Sequence, residues 1–154
     1  FAQNLDAERI DALVCNAGLS RLDYAETADG FEQTVGVCHI GHFLLTRLLM
    51  PRLLAAPTPR VVMVSSTSHT MPPKLDFANF PMRSDAYKGM TAYGQAKLAN
   101  VLLAKALHRR YGTAVVVRIA LCRLGKGYGI VPRRARTTGS GSARALTRFP
   151  RRNG

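Results

Sequence analysis

The chain has 154 residues, a length typical of one domain. Its 47% hydrophobic and 20% charged residues exclude a wholly disordered or collagen-like protein. The net charge of +13 would by itself suggest a nucleic-acid partner, but the charge is unevenly distributed. Residues 1–117 hold 12 basic and all 9 acidic residues, whereas residues 118–154 hold 10 basic residues and no acidic one. The sequence therefore describes a nearly balanced globular segment followed by a basic tail.

Two further features restrict the class of protein. The most apolar stretch, residues 43–56, is interrupted by Arg47 and Arg52, so we expect no membrane span. Cys15, Cys38 and Cys122 are too few and too scattered for a disulfide framework or a zinc site. Unpaired cysteines fit a reducing compartment, which favours the cytoplasm.

Short apolar runs alternate with segments of helical spacing along the first 117 residues. The predicted strands are residues 12–15, 61–64 and 114–117, of which the first two are expected to be buried. The predicted helices run from residue 31, after a start signal at residues 27–30, to about residue 54, and from residue 93 to just before Gly112. Residues 67–91 contain several prolines without sustained periodicity and are expected to form a long loop. This βαβαβ order predicts an α/β fold with a partial doubly wound, Rossmann-like parallel sheet.

Polar residues follow the first two predicted strands, at the edge where ligands bind in sheets of this type. They are Asn16-Ala17-Gly18 and the pair Ser65-Ser66. Tyr93 and Lys97 lie four residues apart, on one face of the next predicted helix. An ammonium beside a phenol lowers the phenol pKa from its ordinary value near ~10, which suits proton exchange with a substrate oxygen. Each piece alone is common in packing, turns and caps, whereas their joint placement at one edge indicates an active site.

Four segments together resemble the short-chain dehydrogenase/reductase family, in its retinol-dehydrogenase-like branch, which includes WW-domain-containing oxidoreductases. The segments are residues 13–18, 41–46, 62–66 and 93–100. The resemblance covers roughly residues 8–117 and is specific because the motifs occur in combination. It implies a nicotinamide cofactor, NADP or NAD, and a small-molecule alcohol or carbonyl substrate that is lipophilic, like a retinoid or steroid.

The resemblance also implies a role for each candidate residue. Tyr93 would be the proton donor or acceptor, and Lys97 would lower its pKa and hold the nicotinamide ribose. Ser66 would position the substrate oxygen, with Ser65 as the alternative. Asn16, Ala17 and Gly18 would shape the adenosine and ribose side of the cofactor site.

The sequence departs from the family at three places. Cys38 stands where the family has an asparagine, and a thiol is a weaker hydrogen-bonding partner than an amide, so a proton-relay water would lose a partner. No glycine precedes Gly18, so the glycine-rich phosphate loop is absent and residues 1–117 are expected to be the central part of an NAD(P)-binding domain. Residue 1 is Phe, which indicates a fragment, and we expect this fragment to be inactive alone.

The third departure follows residue 117, where the family has a Pro-Gly turn and this chain has Leu-Cys-Arg-Leu-Gly at residues 121–125. We interpret residues 118–154 as the end of the last strand and an irregular, disordered basic tail, either frame-shifted or divergent. Two alternative functions remain. A non-catalytic relative that keeps only the scaffold would explain Cys38, and a basic module would bind nucleic acid non-specifically through its tail. We expect no metal site and no specific nucleic-acid partner.

Overall fold

The computed structural model describes residues 1–20, 23–72 and 74–122. Within these ranges, three strands form one parallel sheet in the order β1 (Ala12–Cys15), β2 (Arg60–Ser66) and β3 (Val116–Cys122). Helical segments connect β1 to β2 and β2 to β3. The predicted α/β fold with βαβαβ order and a parallel sheet is therefore confirmed. The predicted tail at residues 123–154 lies outside the described residues.

One continuous helical segment connects β1 to β2. It consists of α1 (Gln33–Val35), a π-helix at Gly36–Ile40 and α2 (Gly41–Leu54), and the residues at both junctions keep right-handed helical dihedrals. We call Gly36–Ile40 the π-turn. The long helix predicted from residue 31 is confirmed, but the start signal predicted at residues 27–30 is wrong. The cap is Glu32, whose carboxylate accepts hydrogen bonds from the first backbone N–H groups of the helix.

The helix α3 (Gly89–Tyr111) connects β2 to β3 and begins four residues earlier than predicted. Its first turn is closed by a hydrogen bond from the backbone N–H of Ala92 to the carbonyl of Lys88. Met90 is the one large apolar residue in this turn and is 38% exposed, so apolar spacing does not reveal the turn. The predicted loop before α3 instead contains three short 3₁₀ helices: Thr67–Thr70, Phe77–Asn79 and Ser84–Ala86.

Burial differs sharply between the three strands. The central strand β2 is mostly buried, as predicted, but the prediction that the first strand is buried is wrong, and β3 contains no buried residue. Val14 of β1 is 54% exposed and Ile119 of β3 is 41% exposed. Parallel strands in sequential order with right-handed crossovers place both connecting helices on one face of the sheet, which leaves much of the other face open. The third strand was predicted too early in the chain, at residues 114–117. Its observed bounds follow its pairing with β2, from Val116 opposite Arg60 to Cys122 opposite Ser66.

The main core lies between the sheet and the helices α2 and α3. Its buried members lie in these elements or, for Val115, directly before β3: Cys15, Met50, Leu53, Val61, Met63, Ala104 and Val115. A second, smaller cluster joins the π-turn to the beginning of α3, through Val35, Cys38, Tyr93 and Ala96. This second cluster places the predicted site helix against the π-turn.

Candidate active site

The two serines at the end of β2 are both completely buried but differ in their partners. The hydroxyl of Ser65 donates a 2.7 Å hydrogen bond to the backbone carbonyl of Lys97, which joins the strand to α3. The hydroxyl of Ser66 accepts a 3.2 Å hydrogen bond from the backbone N–H of Ser68 and donates to the Ser68 hydroxyl at 3.3 Å. Ser65 is therefore engaged in holding the helix, whereas Ser66 faces the turn that follows the strand.

Tyr93 and Lys97 lie together on the first half of α3, and both side chains are buried. The Nζ atom of Lys97 lies 5.4 Å from the centroid of the Tyr93 ring. The same atom donates a 3.3 Å hydrogen bond to the backbone carbonyl of Val64 in β2. A buried cation requires such compensation, and this carbonyl holds the ammonium at the carboxyl end of the central strand, beside the phenol ring.

The turn after β1 approaches the same lysine at Gly18. A Cβ atom on this residue would lie 3.2 Å from Lys97 Nζ and 3.4 Å from Cys38 Sγ. A side chain here would be a tight fit, since the ammonium would have to shift by a few tenths of an ångström to admit it. Asn16 and Ala17 lie exposed in the same turn. The structure thus gathers Gly18, Lys97, Tyr93 and the end of β2 at one edge of the sheet.

Cys38 lies in the π-turn. It pairs with the backbone of Leu19, which follows the turn at residues 16–18. Its sulfur accepts from the Leu19 N–H at 3.4 Å, and its S–H donates to the Leu19 carbonyl at 3.2 Å. Burial raises the pKa of the thiol, and the hydrogen bond from Leu19 and the positive charge of Lys97 partly oppose this shift. Although a thiol is a weak partner in general, this one satisfies both backbone groups of Leu19 and holds the turn in place.

Sequence reasoning missed Asn100, which is completely buried one turn after Lys97 on α3. Its amide nitrogen donates to the carbonyl of Cys38 at 2.8 Å and to the carbonyl of Val64 at 3.3 Å. Its amide oxygen lies 3.0 Å from Nδ1 of His39. The available signal was an asparagine in the middle of a helix, where this residue type is unfavourable without a specific partner.

The described part of the chain has neither a metal-binding cluster nor a membrane-spanning helix. Among residues 1–20, 23–72 and 74–122, no group of three or more His, Cys, Asp or Glu side chains is arranged to hold a metal ion. No helix within these residues combines the length and the apolar character needed to cross a membrane. A groove of about 400 Å³ lies between α2 and α3, and its lining includes Phe43, Met50 and Leu107 but none of the predicted site residues.

A parallel βαβαβ sheet with polar groups gathered beyond its strand ends is the architecture of the nucleotide-binding α/β proteins. Within that class, the chain belongs to the short chain dehydrogenase family, whose sequence pattern matches residues 2–78. Membership agrees with the resemblance seen in the motifs.

Curated relatives place the chain near one branch of the family. It is 40% identical over 131 residues to human retinol dehydrogenase 13, a match that covers 81% of this chain and 39% of that protein. It is 39% identical over 118 residues to human WW domain-containing oxidoreductase, covering 71% of this chain and 28% of that protein. The chain thus spans well under half the length of these relatives.

Solved structures share the fold. A protein from Mycobacterium paratuberculosis has a TM-score of 0.67 and 40% sequence identity, over 84% of this chain and 46% of that chain. A structure described as a short chain dehydrogenase from Escherichia coli CFT073, complexed with NADPH, has a TM-score of 0.57 and 22% identity, over 79% of this chain and 47% of that chain. The second likeness concerns the fold alone.

Proposed function

We propose that this chain carries the proton-transfer groups of a nicotinamide-dependent oxidoreductase that interconverts an alcohol and a carbonyl compound. The observation that supports this proposal best is the buried Lys97 ammonium, 5.4 Å from the Tyr93 ring centroid at the carboxyl edge of the sheet. A positive charge this close favours the ionised phenol and prepares Tyr93 to exchange a proton near neutral pH.

In the direction of carbonyl reduction, the Tyr93 hydroxyl gives its proton to the substrate oxygen. The phenolate that forms on Tyr93 is stabilised by Lys97. The Ser66 hydroxyl turns from Ser68 and donates to the substrate oxygen as negative charge develops on that oxygen. Oxidation of an alcohol reverses each transfer. A bound nicotinamide cofactor supplies or accepts the hydride, and the protein residues orient the substrate and move the proton.

The turn at residues 16–18 suits the sugar side of such a cofactor. Asn16 and Ala17 are exposed, and Gly18 leaves space beside Lys97 because it lacks a side chain. An ammonium has three protons, and one of those on Lys97 goes to the Val64 carbonyl. The others are suited to the hydroxyls of a ribose. The cofactor is NAD or NADP.

The substrate we propose is lipophilic, of the retinoid or steroid kind. Support comes from the 40% identity to human retinol dehydrogenase 13 and from the retinol-dehydrogenase-like motifs. We further propose that the 154-residue chain is inactive alone, since no glycine-rich phosphate loop precedes its first strand. The three free cysteines support a reducing, cytoplasmic location.

A fusion protein tests this function. The segment of human retinol dehydrogenase 13 that precedes its matched region is joined before residue 1, and oxidation of NADPH or NADH is followed with all-trans-retinal. We expect turnover by the fusion protein and none by the 154-residue chain. Tyr93→Phe in the fusion protein should lower kcat/KM by at least about 100-fold, and Lys97→Met should lower it similarly. Tyr111→Phe, at the other end of α3, is the matched control and should change it less than about twofold.

Two results would contradict the proposal. Steady cofactor oxidation by the 154-residue chain would show that the inactivity proposal is wrong. A folded fusion protein that binds cofactor without turnover, with no gain from Cys38→Asn, would favour a non-catalytic relative in which Cys38 only holds the backbone of Leu19.

A further inference from the structure

The amide of Asn100 connects three elements at the edge of the proposed site. It belongs to α3, and its partners are Cys38 and His39 in the π-turn and Val64 in β2. The amide nitrogen of Asn100 donates to two backbone carbonyls, and the amide oxygen accepts from His39. The residue is completely buried, so water does not replace these bonds if the amide is lost.

Lys97 and Asn100 share one acceptor. The Val64 carbonyl receives Lys97 Nζ at 3.3 Å and Asn100 Nδ2 at 3.3 Å, which uses both of its lone pairs. The Cys38 carbonyl is occupied by Asn100 at 2.8 Å. Lys97 is a flexible donor close to Cys38. A Cβ atom on Gly18 would lie within 3.4 Å of both the Lys97 ammonium and the Cys38 sulfur. If Asn100 no longer occupied the Cys38 carbonyl, the ammonium would have a second acceptor, and it would no longer be held at its present position 5.4 Å from the centroid of the Tyr93 ring.

We propose that Asn100 is a positioning residue that keeps the Lys97 ammonium beside Tyr93 by occupying the Cys38 carbonyl and sharing the Val64 carbonyl. It touches neither substrate nor cofactor and acts through Lys97. The inference rests on the proposed function, because the position of Lys97 matters to the reaction only if Tyr93 exchanges the proton. It adds a residue that the motifs of the sequence do not assign.

The first test uses the 154-residue chain and needs neither cofactor nor turnover. Tyrosine labelled with ¹³C at Cζ reports ionisation of each phenol by NMR, and Tyr93→Phe assigns the Tyr93 signal. We expect Asn100→Ala to raise the pH midpoint of the Tyr93 signal by about 0.5 or more, since the cation moves away from the ring. Leu103→Ala is the matched control. It removes packing on the same helix without touching the amide network, and should change the midpoint by less than about 0.2.

Asn100→Leu separates the hydrogen bonds from the volume of the side chain. Leucine fills a similar space and adds no charge, but it has no N–H donor, so it should raise the midpoint at least as much as alanine does. It also carries the test if Asn100→Ala does not fold. A purely space-filling role predicts an unchanged midpoint in Asn100→Leu, and that result would overturn the proposal. An equal rise in folded Leu103→Ala would overturn it as well.

The second test uses the fusion protein described above. Asn100→Ala should lower kcat by about tenfold and leave the KM for retinal within about twofold, because the change affects the reacting groups and not substrate binding. If the fusion protein has no activity but the midpoint rises in Asn100→Ala, the proposed function fails while the positioning role of Asn100 stands. If turnover depends on Tyr93 but no Asn100 variant moves the midpoint, the positioning proposal alone fails.

Discussion

The carboxylate of Glu32 caps the helical segment that carries the π-turn, and its removal should destabilise the fold measurably. Glu32 is 2% exposed and accepts hydrogen bonds from the N–H groups of Thr34 at 2.7 Å and Val35 at 2.8 Å. It also accepts from the Tyr87 hydroxyl at 3.2 Å. Glu32→Ala therefore leaves two buried N–H groups and the half-buried Tyr87 hydroxyl without this acceptor. Loss of a helix cap costs about 0.5–2 kcal/mol, and a hydrogen bond to a charged group contributes about 1.5–3 kcal/mol.

Because these contributions overlap, we expect Glu32→Ala to lower the free energy of unfolding by about 2–4 kcal/mol, a large fraction of the ~5–15 kcal/mol typical of a domain. Urea denaturation followed by far-UV circular dichroism measures this difference. Asp29→Ala is the matched control, since Asp29 is exposed and lies in the start signal predicted from the sequence. It should cost less than about 0.5 kcal/mol. Equal losses in the two variants, or none in Glu32→Ala, would refute the reasoning.

Three smaller predictions concern the core and its histidines. Leu53→Ala, at a position with 0% exposure, should lower the free energy of unfolding by about 2–5 kcal/mol. Leu54→Ala, at 45% exposure, is the control and should lower it by less than about 1 kcal/mol. Similar losses for the two variants in urea denaturation would contradict the burial assigned to them. Burial lowers the pKa of His39 and His42 below 6.5, so the unfolded chain binds more protons and stability should fall as the pH drops below about 6.5. His39→Gln, measured by urea denaturation across this pH range, should reduce that dependence, whereas Leu53→Ala should shift the stability curve without changing its slope.

The order of strands and helices was predictable because burial leaves a clear pattern. The run at residues 61–64 is uniformly apolar, as the central strand of a parallel sheet requires, and the structure places it in β2. The long helix before it was predictable from apolar spacing. The exposure of Val14 was not predictable, because an apolar residue looks the same whether or not a helix covers its face of the sheet.

Features set by long-range contacts were not visible in local sequence. The π-turn at Gly36–Ile40 has no distinctive residue pattern, and its carbonyl at Cys38 meets Asn100 from a helix far along the chain. The end of β3 depends on its pairing with β2, which extends to Cys122. The sequence did predict that Tyr93 and Lys97 share a helix face, and they lie together in the structure. Their catalytic roles, like those of Ser66 and the turn at residues 16–18, stay predictions for the variants described above.

The close approach of Gly18 to Lys97 has an evolutionary consequence. A side chain at position 18 would occupy space that the Lys97 ammonium and the Cys38 sulfur already border, at 3.2 Å and 3.4 Å. The two positions should therefore covary among homologues. Lineages that have replaced this lysine by a shorter residue are free to accept alanine or serine in the turn, whereas lineages that retain it should purge such changes.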